Sequence, residues 1–459
     1  MGDVESLCGT TEMSFLGDGD ERPQVPELHV ASTPQIHILH DANLYPIDVA
    51  RQTDHRLGFA DDPDHPWGER ADSTTMEVRT DPTTLAALQP LAGTVRITAL
   101  EAIPYAVPYR RSPAFASGSV ASADNVLVRV HTDAGVVGQA EAQPRPYTYG
   151  ETQSSIVDTV RGQLNDALTG LDPLRIELVA ERCDRITGNY VARGAVDLAV
   201  WDLIGHLLRC SCHTLLGGFA EDVAAAHMVS FGTPAAMADE AVEVNRQFGV
   251  ETFKIKVGRA PELDAASVRA VRDALPGADL YVDANRGWSY DDAVRAGDEL
   301  IELGVRAIEE PISIDDRAGR LRLAKHWSVP LAGDESCISL AHVDRALEEG
   351  AVRVVSIKTA RTGFTESRRI LDLCRARSVS VVVGSQYEGA MGAMATIAFA
   401  AAFAATAGQA AELTNCFDLA DDLVVDGPQV RGGRASVPSG PGLGFEVDQD
   451  KLERYRLDR

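Results

Sequence analysis

Residues 251–258 read ETFKIKVG. Phe253, Ile255 and Val257 are apolar at every second position, so the stretch reads as a β-strand with Lys254 and Lys256 sharing the opposite face. In an antiparallel sheet that face could simply be wet. In an α/β protein both faces are covered, and two ammonium groups placed there cost heavily unless something compensates them. The reading of the fold therefore turns on what the two lysines face.

Outward from this strand a rhythm appears. After about residue 223, short apolar stretches alternate with helical patterns: AAHMVSFG, ETFKIKV, DLYVDAN, VRAIEEP, VPLAGDES, VRVVSIK and SVSVVVGS. Seven or eight such βα units predict a closed parallel barrel, with a doubly wound open sheet as the alternative. No GxGxxG or GxxxxGK[ST] follows any of the strands, so nucleotide-binding fingerprints are absent. Ionisable residues close successive strands: Lys254 and Lys256, then Asp283 with Asn285, Glu309, Asp334 and Lys358. From Lys256 the steps to Asp283, Glu309, Asp334 and Lys358 are 27, 26, 25 and 24 residues, one βα unit each. Each side chain thus recurs at one level, the C-terminal rim where the active sites of such barrels lie.

Three converging carboxylates would repel and raise one another's pKa, and a hard divalent cation relieves this. Asp283, Glu309 and Asp334 offer oxygen ligands only, which suits Mg²⁺, with Mn²⁺ the other ion the set accepts; no His or Cys joins them, which argues against zinc. One such acid alone reads as a solvated strand end or a helix cap. The whole set in register with three lysines does not. Lys254 beside Lys256 is expected to lower its neighbour's pKa by like-charge repulsion and so favour a neutral base. A substrate carboxylate on the cation could then lose or gain its α-proton between the lysines.

The rest of the chain bounds these readings. Among 459 residues the formal net charge is −25, which argues against general affinity for nucleic acid or anionic membranes but not against a small anionic substrate. Seven scattered cysteines without a CxxC pair predict neither a disulfide framework nor a zinc site, and fit a reducing, cytoplasmic setting. The acidic N-terminus lacks the features of a secretory signal. The alanine-rich segment 390–407 predicts a buried helix rather than a membrane span. Residues 1–92, rich in Asp, Pro, Thr and His without a sustained period, predict a disordered extension. From residue 93, strand-like TVRITALEAI, a hairpin around TDAG and three helical stretches predict a compact α+β domain ending near Gly218.

Taken jointly, KIK at 254–256, D-x-N at 283–285, IEEP at 308–311, GDES at 333–336 and the sixth-strand Lys358 resemble the enolase superfamily. Within it they resemble the mandelate racemase/muconate lactonizing enzyme family, in the muconate lactonizing subgroup, over residues from about 93 to 459. The resemblance implies an α+β capping domain at 93–222, completed by about 415–459, and a (β/α)7β TIM-like barrel at 223–414. It implies Asp283, Glu309 and Asp334 as ligands for Mg²⁺, Lys256 and Lys358 as acid and base, and Lys254 as helper. Mandelate-racemase-like members carry a His on strand seven, and SVSVVVGSQYEG has none.

GSQYEGAMG at 384–392 is similar to the stretch that in muconate cycloisomerases places a Glu at the site, here Glu388, although Gln386 and Tyr387 depart from that pattern. ELTN at 412–415 departs from the D-x-D usual in dipeptide epimerases. The cap loops 108–118 and 142–152 occupy places that close over substrate in the family. The substrate contacts expected are therefore Asn285, Glu335, Glu388, Arg110, Arg111 and Tyr147, with the paired arginines meeting a second carboxylate. The function implied is a Mg²⁺-dependent cycloisomerase of a muconate-like dicarboxylate, acting on a small molecule as a homo-oligomer. The alternatives are a racemase or epimerase of N-acyl amino acids or related α-substituted acids, and a dehydratase. A non-catalytic barrel would be expected to have lost a ligand or a lysine, and none is lost.

Overall fold

The computed structural model describes residues 93–459 except 116, 117 and 120, so the extension expected over 1–92 lies outside the described residues. Three long strands come first: β1 (Ile97–Pro108), β2 (Ser122–Thr132) and β3 (Val137–Ala142), antiparallel in the order β1-β2-β3. The β2–β3 turn closes at Gly135, whose φ of +72° is a left-handed conformation that glycine adopts without steric cost. Both faces of this sheet are covered. On one, Val126, Val128, Val130, Ala140 and Ala142 join the main core; on the other, Ile103, Tyr105, Val107 and Leu127 pack with Leu419, Leu423, Val447 and Leu452 from the chain's C-terminal end. Backbone bonds tie that end on, Ala420 N–H to Pro108 O (2.9 Å) and Leu457 N–H to Pro104 O (2.8 Å).

Helices α1 (Gln153–Thr159), α2 (Ile176–Asp184) and α3 (Tyr190–Leu208) follow. A capping box at Thr152 and Ser155 starts α1, which runs on through a π turn at Val160–Leu164. Helix α3 is apolar nearly all round because it is covered on several sides. A Cβ at Gly138 of β3 would stand 2.1 Å from Ala199 O of α3, so strand and helix touch through backbone.

The remaining strands form the barrel: β4 (Asp222–Val229), β5 (Thr252–Lys256), β6 (Asp279–Asp283), β7 (Val305–Glu309), β8 (Leu331–Gly333), β9 (Val352–Ile357), β10 (Ser380–Val383) and β11 (Ala411–Glu412). Neighbours from β4 to β10 pair in parallel, and β11 pairs in parallel with β4 through Ala411 and Ala225, which returns the sheet to its first strand. The closed ring, not the doubly wound alternative, is the fold. The hairpin β12 (Val430–Arg431) and β13 (Arg434–Ser436) extends the sheet at the entry of β4.

The intervening helices are α4 (Pro234–Phe248), α5 (Pro261–Ala274), α6 (Tyr290–Glu302), α7 (Arg317–His326), α8 (Leu340–Glu349), α9 (Thr359–Ala376) and α10 (Ala390–Ala402). Side chains of Thr233, Ser289, Asp316 and Ser339 cap four of their N-termini. Helix α10 is buried throughout, as its alanine-rich sequence predicts, and no helix among the described residues is long and apolar enough to cross a membrane. The six described cysteines are free thiols.

Candidate active site

Strand register sets the level of the site. Lys256 pairs across to Asp283, and Asp283 to Glu309, so the rim residues of β5, β6 and β7 stand side by side. Asp334 follows the end of β8 and Lys358 the end of β9. The inward lysines do meet acids. Lys254 Nζ donates to Glu309 Oε1 at 2.7 Å and lies 3.1 Å from Asp283 Oδ2 and 3.0 Å from Glu412 Oε1. Lys256 Nζ donates to Asp283 Oδ2 (2.7 Å) and Asn285 Oδ1 (2.8 Å). On the far side Lys358 Nζ donates to Asp334 Oδ2 at 2.6 Å, and Arg361 donates to the other oxygen of Asp334.

The electrostatics follow from this packing. Burial works to raise the Asp283 carboxyl, but the ammonium groups of Lys254 and Lys256 outweigh it and hold it well below the usual range. Asp334 is lowered in the same way, burial being outweighed by Lys358 and Arg361. Glu309 goes the other way: burial and then the Asp283 charge push it well up, with Lys254 opposing. Glu335 is raised to about 7 by burial and the Asp334 and Asp283 charges. Burial acts to lower Lys254, but Asp283, Glu309 and Glu412 raise it well above its ordinary value. At Lys254 itself the surrounding acids outweigh burial.

Asp283, Glu309 and Asp334 supply carboxylate oxygens alone, the donor chemistry of a hard cation. Among the described residues no three His, Cys, Asp or Glu side chains gather as a metal ligand group, since ammonium and guanidinium groups take up the acids instead. Glu309 Oε2 is nonetheless buried without a hydrogen-bond partner, as is Glu335 Oε2. Unsatisfied buried carboxylate oxygens on a carboxylate-only set fit a divalent cation.

A cavity of about 140 Å³ opens over this set. Lys256 and Lys358 line it, as do Asn285, Asp334 and Glu335 from the barrel and Tyr147 from loop 142–152; Tyr147 is 77% exposed. Three other predicted contacts lie elsewhere. Arg110 and Arg111 line a separate cleft: Arg110 Nη2 donates to Leu419 O (3.2 Å), and Arg111 pairs with Glu243 (2.7 Å), Glu240 and Asp418. Acids of α4 and of the C-terminal segment claim Arg111, and a backbone carbonyl takes Arg110. Glu388 does not line the cavity but binds its own loop, accepting from Gln386 N–H at 2.7 Å and from the Ser385 hydroxyl.

Other residues emerge only here. Glu412, at the end of β11, accepts from Lys254, from Tyr281 OH (3.0 Å) and from Ser385 N–H (2.9 Å). Arg361 bridges Asp334 to Tyr149 OH (2.7 Å). Glu310 accepts from Asp334 N–H (2.7 Å) and Ser336 N–H (2.9 Å), which fixes the GDES turn. Arg145, Gln386 and Tyr387 line the cavity. Glu412 was findable as an eighth strand-end acid, and Arg361 as a cation one helical turn beyond Lys358; Arg145 and Gln386 gave no periodic signal.

Residues 99–217 match the model of the mandelate racemase/muconate lactonizing enzyme N-terminal domain, and 236–451 match the enolase C-terminal domain-like model. Muconate cycloisomerase 1-2 of Acinetobacter lwoffii is 31% identical over 80% of this chain and 97% of its own. A hydrophobic dipeptide epimerase of Enterococcus faecalis is 32% identical over 60% of this chain and 77% of its own. The crystal structure of muconate lactonizing enzyme from Mucobacterium smegmatis, complexed with muconolactone, superposes with a TM-score of 0.78 at 43% identity, covering 79% of this chain and all of the other.

Proposed function

Because the chain belongs to the mandelate racemase/muconate lactonizing enzyme family of the enolase superfamily, whose members are Mg²⁺-dependent enzymes, we propose that it is a cycloisomerase of a muconate-type dicarboxylate. The observation that carries the reaction class is the placing of Lys256 and Lys358 on one cavity, at the ends of β5 and β9, with Asp283, Glu309 and Asp334 on the strands between them. The 43% identity with a muconate lactonizing enzyme favours the dicarboxylate among the family's substrates.

Asp283, Glu309 and Asp334 would hold the divalent cation, Mg²⁺ or Mn²⁺, which supplies stabilisation of negative charge on the substrate's near carboxylate. The chain's own groups do the rest. An oxygen of the far carboxylate forms a C–O bond to the diene, and the displaced π electrons move toward the near carboxylate. The ammonium group of Lys256 or Lys358 then gives its proton to the α-carbon, and the lactone is an isomer of the starting acid with no co-reactant consumed. Lys254, charged and buried, keeps positive potential beneath this region. Asn285 holds Lys256 through its side-chain oxygen, and Arg361 braces Asp334 opposite Lys358. This reading carries with it a cytoplasmic, homo-oligomeric protein.

A second reading, racemase or epimerase of N-acyl amino acids, is favoured by the same lysine pair, since two bases on one cavity can exchange a proton between faces. NMR in D₂O with Mg²⁺ and cis,cis-muconate, beside an EDTA control, decides between them. Metal-dependent lactone carrying one deuterium is the expected result. No lactone, with α-deuteration of N-acyl amino acids instead, establishes the second reading.

A further inference from the structure

Four cations line the catalytic cavity, and three have an acid beside them. Lys256 has Asp283 at 2.7 Å, Lys358 has Asp334 at 2.6 Å, and Arg286 has Glu335 at 3.6 Å. Arg145 differs. It is half-buried, its guanidinium donates to Pro144 O (3.0 Å), and no carboxylate among the described residues pairs with it. A partly desolvated guanidinium without a counter-charge is costly, and its planar fork matches a carboxylate. Gln386 also lines the cavity. It is 4% exposed, and neither its side-chain nitrogen nor its oxygen has a partner.

The fold holds Gln386 there deliberately. Tyr387 is kept at φ +68°, an uncommon conformation for a bulky residue. Gln386 N–H donates to Glu388, Tyr387 N–H donates to Ser385 Oγ (2.8 Å), and the Gln143 side chain donates to Tyr387 O. Glu388 therefore positions the loop that carries the amide. A buried amide with both ends unmatched is rare unless a ligand completes it.

We propose that Arg145 and Gln386 form the second anion-binding pole of the site and hold the far carboxylate of a dicarboxylate substrate. Two poles then divide the substrate: the lysine and acid rim takes the near carboxylate, and Arg145 with the Gln386 amide N–H takes the far one. This rests on the cycloisomerase reading for its reaction, in which the far carboxylate supplies the oxygen of the new C–O bond, but binding tests it without turnover.

Calorimetry on the Mg²⁺-loaded full chain compares adipate with hexanoate, six-carbon acids that differ by one carboxylate. The wild type is expected to prefer adipate by about tenfold or more, the worth of a charge-assisted fork. Arg145→Met brings the ratio near one, Gln386→Leu lowers it, and Arg145→Lys keeps part of it because the charge stays while the fork is lost. Hexanoate affinity stays the same in all three. A wild type without the preference, a ratio unchanged by either Arg145→Met or Gln386→Leu, or equal loss of both ligands overturns the proposal. So does a Gln386→Leu variant that weakens only N-acyl amino acids. A preference that depends on Arg145 in a protein that lactonises no muconate leaves this pole standing and removes the cycloisomerase reading instead.

Discussion

At the residue scale the site is an exchange of charge between lysines and acids. Lys254 is fully buried and touches Asp283, Glu309 and Glu412, so Lys254→Met leaves three carboxylates without their shared cation. A loss of about 3–5 kcal/mol is expected for breaking such a buried cluster, read from urea unfolding. Lys256→Ala, measured in protein shown by circular dichroism to be folded, should lower deuterium incorporation by roughly 100- to 10,000-fold, the span of a lost general acid. Undiminished turnover in that variant would remove Lys256 from the chemistry.

Glu141, away from the rim, gives a pH test. Burial first, and then the Asp422 charge, raise it from about 4.5 to about 8, despite backbone donors at Gly389 and Gly392. The folded protein therefore holds a proton between those pH values that the unfolded chain has released. Stability from this group is full below about 4.5 and is lost as pH rises through about 8. Glu141→Gln should flatten the fall in Tm between pH 6 and pH 9 in thermal melts at matched ionic strength.

At the element scale the decisive contact is α3 lying on β3 and against α9. Gly138 and Gly194 permit it: added Cβ atoms would stand 2.1 Å from Ala199 O and 2.7 Å from the Arg361 carbonyl carbon. Backbone cannot yield as a flexible side chain can, so Gly138→Ala should destabilise by about 1–3 kcal/mol, the range of an overpacked core. Gly194→Ala presses on Arg361, which braces Asp334, and should also reduce turnover beyond what its change in stability explains. Urea midpoints and kcat measured together separate the two effects. Strand and helix periodicity announce these elements in the sequence. The π turn at Val160–Leu164 and the break at Gly363 inside α9 do not, because each depends on packing against other segments.

At the scale of the whole molecule the carboxylates are already compensated without a metal, by Lys254, Lys256, Lys358 and Arg361. Catalysis and folding should therefore part company on metal removal. EDTA should abolish lactone formation while shifting Tm by only a few degrees, and added Mg²⁺ should restore activity. Global unfolding on chelation would show that the acids need the ion for the fold itself. The net charge of −25 does not oppose an anionic substrate, since the cavity wall carries Lys256, Lys358, Arg145 and Arg286.

The sequence by itself determined the βα repeat and the level of its rim, while closure of the ring was decided by the pairing of β11 with β4. Alternation along a strand and the length of a βα unit are properties of local backbone geometry, so Lys254, Lys256, Asp283, Glu309, Asp334 and Lys358 could be placed together before any contact was known. Only the tertiary structure decided which loop residues reach the cavity. Arg111 is drawn off by Asp418, Glu240 and Glu243 and Arg110 by the Leu419 carbonyl, Glu388 turns back on its own loop, and Arg145 and Gln386 point where nothing periodic predicts. Loops carry no repeating pattern, and their side chains go to whichever partners distant segments bring near.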